Sequence, residues 1–212
     1  MSVQVIPSIL VKSKRAFDRR FSVVNRSVRT AQLDVLDNTF LPFKSFRDSK
    51  YIHSKRPRVG FEVHLMINNV GSSLKNWDYP WVKKIIFHLE AEDKPEFAIW
   101  KIKTLKKKVG IAINPPTPAS ALKPYLKQID TALVMTVHPG RNGAPFVPAA
   151  VSKIRQIRQW DKKVKIEVDG GLNPATAKQC VRAGAGLLVV GSYLKNEIFL
   201  QRLKELRSVL KK

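Results

Sequence analysis

The chain has 212 residues, a length that suits one domain the size of a compact barrel, and we expect residues 1–212 to form that single domain. Hydrophobic residues make up 44% of the chain and charged residues 26%, which excludes a disordered or fibrous protein. The balance of 39 Lys and Arg against 16 Asp and Glu gives a formal net charge of +23, and such a surface attracts anions.

The positive charge is spread along the whole chain rather than gathered in a tail. It is compatible with a solvated surface, with an electrostatic funnel for phosphorylated metabolites or with contacts to nucleic acid. The single cysteine, Cys180, cannot form an internal disulfide, and the sequence shows no secretory signal and no long apolar run. We therefore expect a cytoplasmic protein without a membrane span.

Short runs of β-branched and apolar residues recur along the chain and predict eight strands. These runs cover residues 3–10, 31–36, 59–67, 84–89, 109–113, 132–137, 164–168 and 186–190. Segments of helical period lie between most of them and predict helices. The helical segments cover residues 15–27, 95–108, 148–160, 174–183 and 196–210.

The alternation of strand and helix implies parallel pairing of the strands. Eight such units in a chain of this length favour an α/β fold of the (β/α)8 type, the TIM barrel, over an open doubly wound sheet. Residues 44–58, where the second helix belongs, are polar and interrupted by proline. That helix is expected to be short or missing.

Polar side chains mark the ends of several predicted strands, where a parallel barrel builds its site. Ser8 follows the first strand, Gln32 and Asp34 lie on the second, His64 lies on the third and Asp169 ends the seventh. A carboxylate inside an apolar barrel needs a partner, so Asp34, His64 and Asp169 suggest a divalent cation with carboxylate and imidazole ligands. Spacing alone leaves a second interpretation open, in which both carboxylates cap helices and His64 is a satisfied core histidine.

Glycines form a second set, suited to phosphate because backbone amides can approach an anion closely where no Cβ intervenes. They lie in turns after the last three predicted strands, at Gly140, Gly143, Gly170, Gly171 and Gly191, with Ser192 beside the last. Barrels often bind phosphate after the seventh and eighth strands. Each glycine is equally compatible with a tight turn that binds nothing.

Several short segments together resemble one family. They are IPSIL (6–10), LDVLDNTFLP (33–42), FEVHLMI (61–67), FHLEA (87–91), GIAINPPTP (110–118), ALVMTVHPG (132–140), EVDGGLNPATA (167–177) and VVGS (189–192). In this order the chain resembles the ribulose-phosphate 3-epimerase family over nearly its whole length. The resemblance implies a TIM barrel of the ribulose-phosphate-binding type.

The resemblance also implies a reaction, the metal-dependent interconversion of D-ribulose 5-phosphate and D-xylulose 5-phosphate in the pentose phosphate pathway. The partner is then a small phosphosugar, and the cofactor is one divalent ion: zinc by resemblance, with manganese, iron, cobalt and magnesium left open. Asp34 and Asp169 become the proton-transferring pair and metal ligands, with His64 and Gln32 completing the ligand set. By the same resemblance, substrate contacts fall to Ser8, Met66, Met135, Gly143, Gly170, Gly171, Gly191 and Ser192. A homo-oligomer remains open.

The chain departs from the family pattern at the metal site. The second strand carries Gln32 where the family has histidine, and an amide oxygen is a harder, weaker ligand than imidazole. We therefore expect reduced zinc affinity or a shift toward manganese or magnesium. Either His53 or His88 could supply the missing ligand, and the sequence does not decide between them.

The phosphate loop of the family also differs here, since residues 139–144 read Pro-Gly-Arg-Asn-Gly-Ala. Asn142 tolerates the left-handed backbone that a glycine would supply. Arg141 is either a solvated side chain or an added charge for phosphate recognition. Two other functions stay open: epimerisation of another phosphosugar such as a ketohexose 6-phosphate, and a catalytically silent barrel that binds nucleic acid through its charge.

Overall fold

A computed structural model describes residues 3–139 and 143–210 and shows eight parallel strands closed into a barrel. The strands are β1 (Gln4–Ile9), β2 (Thr30–Leu36), β3 (Gly60–Met66), β4 (Val82–His88), β5 (Lys108–Ile113), β6 (Thr131–Met135), β7 (Lys165–Asp169) and β8 (Leu187–Val190). Each strand pairs with its sequence neighbour, and β1 closes the barrel by pairing with β8. The predicted TIM barrel is confirmed.

The strands are nearly continuous apolar runs because both of their faces are buried. Outward-facing residues pack against the helices in one large core, to which helix α1 contributes Phe17, Phe21 and Val24. The upper interior of the barrel holds a smaller cluster that includes Ile86, Leu133 and Met135. Successive side chains along a strand point alternately to the helices and to the barrel interior. Gln32 and Asp34 lie two residues apart on β2, so both face the interior.

Seven α-helices follow the strands in the described part of the chain. They are α1 (Lys14–Ser27), α2 (Ser49–Ser54), α3 (Val70–Ser73), α4 (Pro95–Thr104), α5 (Ala150–Trp160), α6 (Pro174–Ala183) and α7 (Phe199–Leu210). The second helix is short, as the polar segment 44–58 predicts. Helix α6 begins with a capping box at Asn173 and Thr176 and ends at Gly184, whose φ of 116° is the left-handed conformation that glycine favours.

One predicted helix end is wrong, and two segments form 3₁₀ helices that the sequence does not predict. Helix α4 ends at Thr104 rather than at residue 108, because Lys106 turns the chain with a φ of 56° and Lys108 already begins β5. The segment 196–210 starts as a 3₁₀ helix (Asn196–Ile198) before α7. Between β5 and β6 the chain forms a 3₁₀ helix (Ala119–Tyr125) in which Pro124 removes a backbone donor.

The amino-terminal end of the barrel interior is ionic. Lys84 Nζ lies 2.8 Å from Glu62 Oε2 and 2.6 Å from Glu167 Oε2, and all three side chains are buried. Burial and the neighbouring Glu167 raise the pKa of Glu62 well above its ordinary value, in spite of the opposing effect of Lys84. This triad fills the amino-terminal end of the barrel, whereas the strand-end residues of the sequence analysis lie at the carboxyl-terminal end.

Across residues 3–139 and 143–210, none of the helices has the length and apolarity needed to cross a bilayer.

Candidate active site

Four of the predicted residues meet inside the carboxyl-terminal half of the barrel. Gln32 and Asp34 come from β2, His64 from the neighbouring position on β3, and Asp169 from the end of β7. His64 Nδ1 lies 3.4 Å from both Asp34 Oδ1 and Asp169 Oδ2. One donor atom from each of Asp34, His64 and Asp169 falls within 4.8 Å of the others, a grouping that can hold a metal ion.

Gln32 lies at the centre of this cluster through its amide nitrogen. Gln32 Nε2 donates hydrogen bonds to Asp34 Oδ1 at 2.7 Å and to Asp169 Oδ2 at 2.6 Å. The same nitrogen is 3.4 Å from His64 Nδ1. Its amide oxygen, Oε1, is buried and has no hydrogen-bond partner among the described residues.

The cluster perturbs the protonation of its members. Burial by itself lowers the pKa of His64, but hydrogen bonds to Asp169 and Asp34 outweigh it and raise that pKa to about 9. Burial raises the pKa of Asp169, although His64 opposes this shift. Near neutral pH, without an ion, an imidazolium and an amide therefore face the two carboxyl groups. Two carboxyl groups held together with one raised pKa are suited to moving protons.

A second row of side chains extends behind His64. His64 Nε2 lies 2.9 Å from His88 Nε2, and His88 Nδ1 lies 3.3 Å from Glu90 Oε2. Burial lowers the pKa of His88 to about 4, so its ring is neutral. Because a carboxylate only accepts hydrogen bonds, His88 carries its proton on Nδ1 and accepts at Nε2 from His64. This arrangement keeps His64 Nδ1 turned toward Asp34 and Asp169.

Glu90 is fixed in turn by the loop that follows β5. Its Oε1 accepts hydrogen bonds from the backbone of Asn114, at 2.8 Å, and from the Thr117 hydroxyl. Burial raises the pKa of Glu90, but the hydrogen bonds from His88, Thr117 and Asn114 outweigh it and lower that pKa to about 2. Thr117 lies in the segment GIAINPPTP (110–118) that helps to carry the resemblance, but sequence reasoning gave this residue no role.

The residues predicted to contact substrate line one cavity next to the carboxylates. Its walls contain Ser8, Asp34, Met66, Met135, Gly143, Asp169, Gly170, Gly171, Gly191 and Ser192. Strand ends far apart in the chain therefore converge as the parallel barrel requires. Gly140, Arg141 and Asn142 lie outside the described residues, and the predictions for Asn142 and Arg141 stay predictions.

Two of the glycines are required by the backbone itself. Gly170 and Gly171 have φ values of 110° and 63°, conformations that other residues rarely adopt. A Cβ on Gly170 would lie 2.2 Å from Val137 Cγ2, and one on Gly171 would lie 2.9 Å from the Phe146 backbone. Their presence is thus explained by geometry alone, and a phosphate role needs its own test.

Neither alternative histidine joins the ligand cluster in the described part of the chain. The His53 ring stacks on Tyr79 and accepts a hydrogen bond from Trp81 Nε1 at 3.3 Å, within a separate aromatic group. His88 lies behind His64 and contacts it through Nε2. Sequence reasoning also missed Thr136, whose hydroxyl lies 2.6 Å from the Gly170 carbonyl and holds the turn after Asp169.

A buried carboxylate and imidazole cluster at the carboxyl-terminal end of a barrel of eight parallel strands is typical of a TIM-barrel enzyme. The family model described as ribulose-phosphate 3 epimerase matches residues 4–195. The chain therefore belongs to the ribulose-phosphate 3-epimerase family, a family of isomerases.

Individual relatives agree with this assignment. The ribulose-phosphate 3-epimerase of Rhodobacter capsulatus is 32% identical over 195 residues, which covers 90% of this chain and 85% of that protein. The enzyme of the same name from Methanocaldococcus jannaschii is 37% identical over 168 residues, which covers 76% and 70%. The solved structure of 3-hexulose-6-phosphate synthase from Salmonella typhimurium has a TM-score of 0.73 at 16% identity, covers 99% of both chains and supports the fold alone.

Proposed function

We propose that this protein interconverts D-ribulose 5-phosphate and D-xylulose 5-phosphate by proton transfer at the carbon beside the ketone. The observation that carries the proposal is the pair of carboxyl groups, Asp34 and Asp169, that meet at a single nitrogen inside the barrel. Inversion of a carbon needs one group to remove a proton from one face and another to return a proton to the opposite face. Two carboxyl groups carried by different strands, here β2 and β7, can flank a substrate in that way.

The proton balance of this proposal closes without a further reactant. One carboxylate takes the proton from the substrate carbon and the other, carrying a proton, gives it to the opposite face. Burial raises the pKa of Asp169, and we propose that this residue is the proton donor in one of the two directions. The two groups exchange roles in the reverse direction, and exchange with solvent restores their starting states.

The donor set fits a divalent ion, since two carboxylates and an imidazole converge within 4.8 Å. We propose that Asp34, His64 and Asp169 hold it, with Gln32 as a poor or absent ligand. When bound, the ion supplies positive charge beside the ketone oxygen and so makes the neighbouring C–H more acidic. Which ion fills the site is an outcome of the assay below.

The remaining walls of the cavity suit the rest of the substrate. Met66 and Met135 place polarisable apolar surface next to the carboxylates. Gly143, Gly170, Gly171, Gly191 and Ser192 line the same cavity, and we propose that their backbone groups bind the phosphate. Ser8 also lines this cavity, and we propose that it contacts the sugar.

The test is a coupled assay of D-ribulose 5-phosphate conversion by purified, metal-stripped protein, with Zn²⁺, Mn²⁺, Fe²⁺, Co²⁺ and Mg²⁺ added back separately. Metal-dependent turnover is the expected result, and the most effective ion reports the hardness of the site. A ketohexose 6-phosphate run in parallel separates the proposed substrate from a longer phosphosugar. Failure to convert D-ribulose 5-phosphate with any of the ions, in protein shown to be folded, would refute the proposal.

A further inference from the structure

The amide nitrogen of Gln32 lies where three prospective metal ligands converge. It is 2.7 Å from Asp34 Oδ1, 2.6 Å from Asp169 Oδ2 and 3.4 Å from His64 Nδ1. The same three atoms are the donors that could hold an ion. An ion bonded to them at ordinary coordination distances, about 2.0–2.2 Å, would have to occupy the space that the amide group now takes.

The orientation of the amide follows from the chemistry of its neighbours. Carboxylate oxygens accept hydrogen bonds, and the structure turns the NH₂ side of Gln32, rather than its oxygen, toward Asp34 and Asp169. The two amide hydrogens match two carboxylate oxygens, one bond to each. The remaining Oε1 is buried without a partner among residues 3–139 and 143–210, and an unpaired buried acceptor opposes folding. The bonds to the carboxylates hold the amide in this orientation in spite of that penalty.

We propose that Gln32 is an internal competitor of the metal ion rather than one of its ligands. An ion that enters must break both charge-assisted N–H bonds and displace the amide, and these bonds are the stronger kind of hydrogen bond. In the absence of an ion, the amide keeps Asp34 and Asp169 together. The inference deepens the proposed function and rests on it only through these two carboxylates.

Competition and ligation predict changes of opposite sign when the amide is removed. A ligand that is lost weakens metal binding, whereas a competitor that is lost strengthens it. Gln32→Met keeps nearly the same side-chain length and removes both N–H donors and the oxygen. Gln32→Ala removes the whole amide and leaves room for water. Gln156→Ala makes the matched change on an exposed position of α5 and serves as the control.

The experiment measures Zn²⁺ and Mn²⁺ affinity of metal-stripped protein by competition with a chromophoric chelator. We expect both ions to bind Gln32→Met and Gln32→Ala about tenfold more tightly than the unchanged protein, and Gln156→Ala to bind them equally to it. Weaker or unchanged binding by the two Gln32 variants would overturn the inference. Circular dichroism establishes that each variant is folded.

If the variants do not fold, the unchanged protein still decides the question. Nuclear magnetic resonance of the Gln32 side chain should show two hydrogen-bonded amide protons without metal, and saturating Zn²⁺ should release both. Signals that stay unchanged while zinc binds at the cluster would contradict competition. Turnover by the unchanged protein is recorded separately. Tighter zinc binding by the Gln32 variants, together with no turnover by the unchanged protein, would uphold this inference and refute the proposed function.

Discussion

At the scale of single residues, the site is organised around the carboxyl groups of Asp34 and Asp169 and the side chains that orient them. Asp169 ends β7 and accepts from Gln32 at 2.6 Å, while His64 lies 3.4 Å away. Neither contact could be predicted from spacing, because the residues belong to three strands and their side-chain orientations depend on the closed barrel. The strand-end positions of Asp34, His64 and Asp169 could be predicted.

Asp169→Asn should abolish most of the proposed activity. The change keeps size and removes both a proton-transferring group and a charged donor for the ion. We expect turnover of D-ribulose 5-phosphate to fall at least about a hundredfold, measured in the coupled assay at saturating metal. Asp130→Asn alters a carboxylate that accepts from the Val109 backbone at the amino-terminal side of β5, and should leave turnover unchanged. Full activity of Asp169→Asn would refute the proton-transfer assignment.

Glu90→Gln should disturb the orientation of His64 through His88, which lies between Glu90 and His64. A glutamine can present its NH₂ to His88 Nδ1, which places the His88 proton on Nε2, opposite the proton of His64 Nε2. We expect turnover or metal affinity to fall roughly tenfold or more. The ¹⁵N shifts of the two rings report the tautomers directly, and an unchanged His88 tautomer together with reduced turnover would contradict the orienting role. Glu92→Gln, two residues along the chain and exposed, is the control.

At the scale of elements, Asp161 connects α5 to β7 and carries charge-dependent stability. Its Oδ1 accepts from the backbone of Val164 at 2.9 Å and of Lys163 at 2.6 Å, and Lys127 Nζ lies 3.0 Å from Oδ2. The Val164 bond first, then Lys127 and Lys163, lower the pKa of Asp161 from 3.8 to about 2. The turn is therefore tightest when this carboxyl group is ionised.

The sign of the pH effect follows from the lowered pKa. The ionised form is stabilised in the folded chain, so its contribution is complete above about pH 4 and is lost as the pH falls toward 2. Asp161→Asn should lower the free energy of unfolding by on the order of 1 kcal/mol at pH 7, with the difference shrinking below pH 4. Denaturant titrations between pH 7 and pH 3 measure it. Glu197→Gln alters an exposed carboxylate and is the control, because its effect on the free energy of unfolding should not depend on pH in this range. An effect of Asp161→Asn that is equally constant would contradict this account.

The positions of the strands could be predicted well, because a strand that is buried on both faces requires a continuous run of β-branched and apolar residues. Helix ends could be predicted less well. The end of α4 depends on a left-handed Lys106, a conformation that the lysine-rich sequence does not signal. The 3₁₀ helix Ala119–Tyr125 lacks both strand alternation and a full helical period, so no pattern indicated it.

At the scale of the whole molecule, some of the lysine side chains that contribute to the net charge of +23 donate hydrogen bonds to backbone carbonyls. Lys101 Nζ donates to the carbonyl of Gly71, and Lys107 Nζ donates to the carbonyl of Tyr79. Lys153 Nζ donates to the carbonyls of Asn114, Pro115 and Thr117 and so holds the loop beside Glu90. Part of the lysine excess therefore fixes loops rather than facing water.

The remaining surface charge should make the protein bind nucleic acid in a salt-dependent way. Non-specific binding depends on counterion release, so affinity for labelled RNA and DNA should fall a hundredfold or more between about 50 and 200 mM salt. Fluorescence anisotropy with strands of different sequence measures both the slope and the preference. Affinity that persists at high salt, or that depends on sequence, would instead indicate a dedicated nucleic-acid site.

The pairing of β1 with β8 also constrains how the chain acquires its shape during synthesis. Ile6 pairs with Val189 and Pro7 with Val190, so the first strand receives its second neighbour only when the last strand has left the ribosome. Until then, one edge of β1 stays uncovered, and a growing chain with a bare strand edge is prone to associate with other chains. Gln4 N–H donates to the Gly186 carbonyl on the β8 side, and because backbone groups alternate along a strand, the N–H that Pro7 lacks belongs to the β2 side. The uncovered edge therefore keeps its full set of donors until β8 arrives.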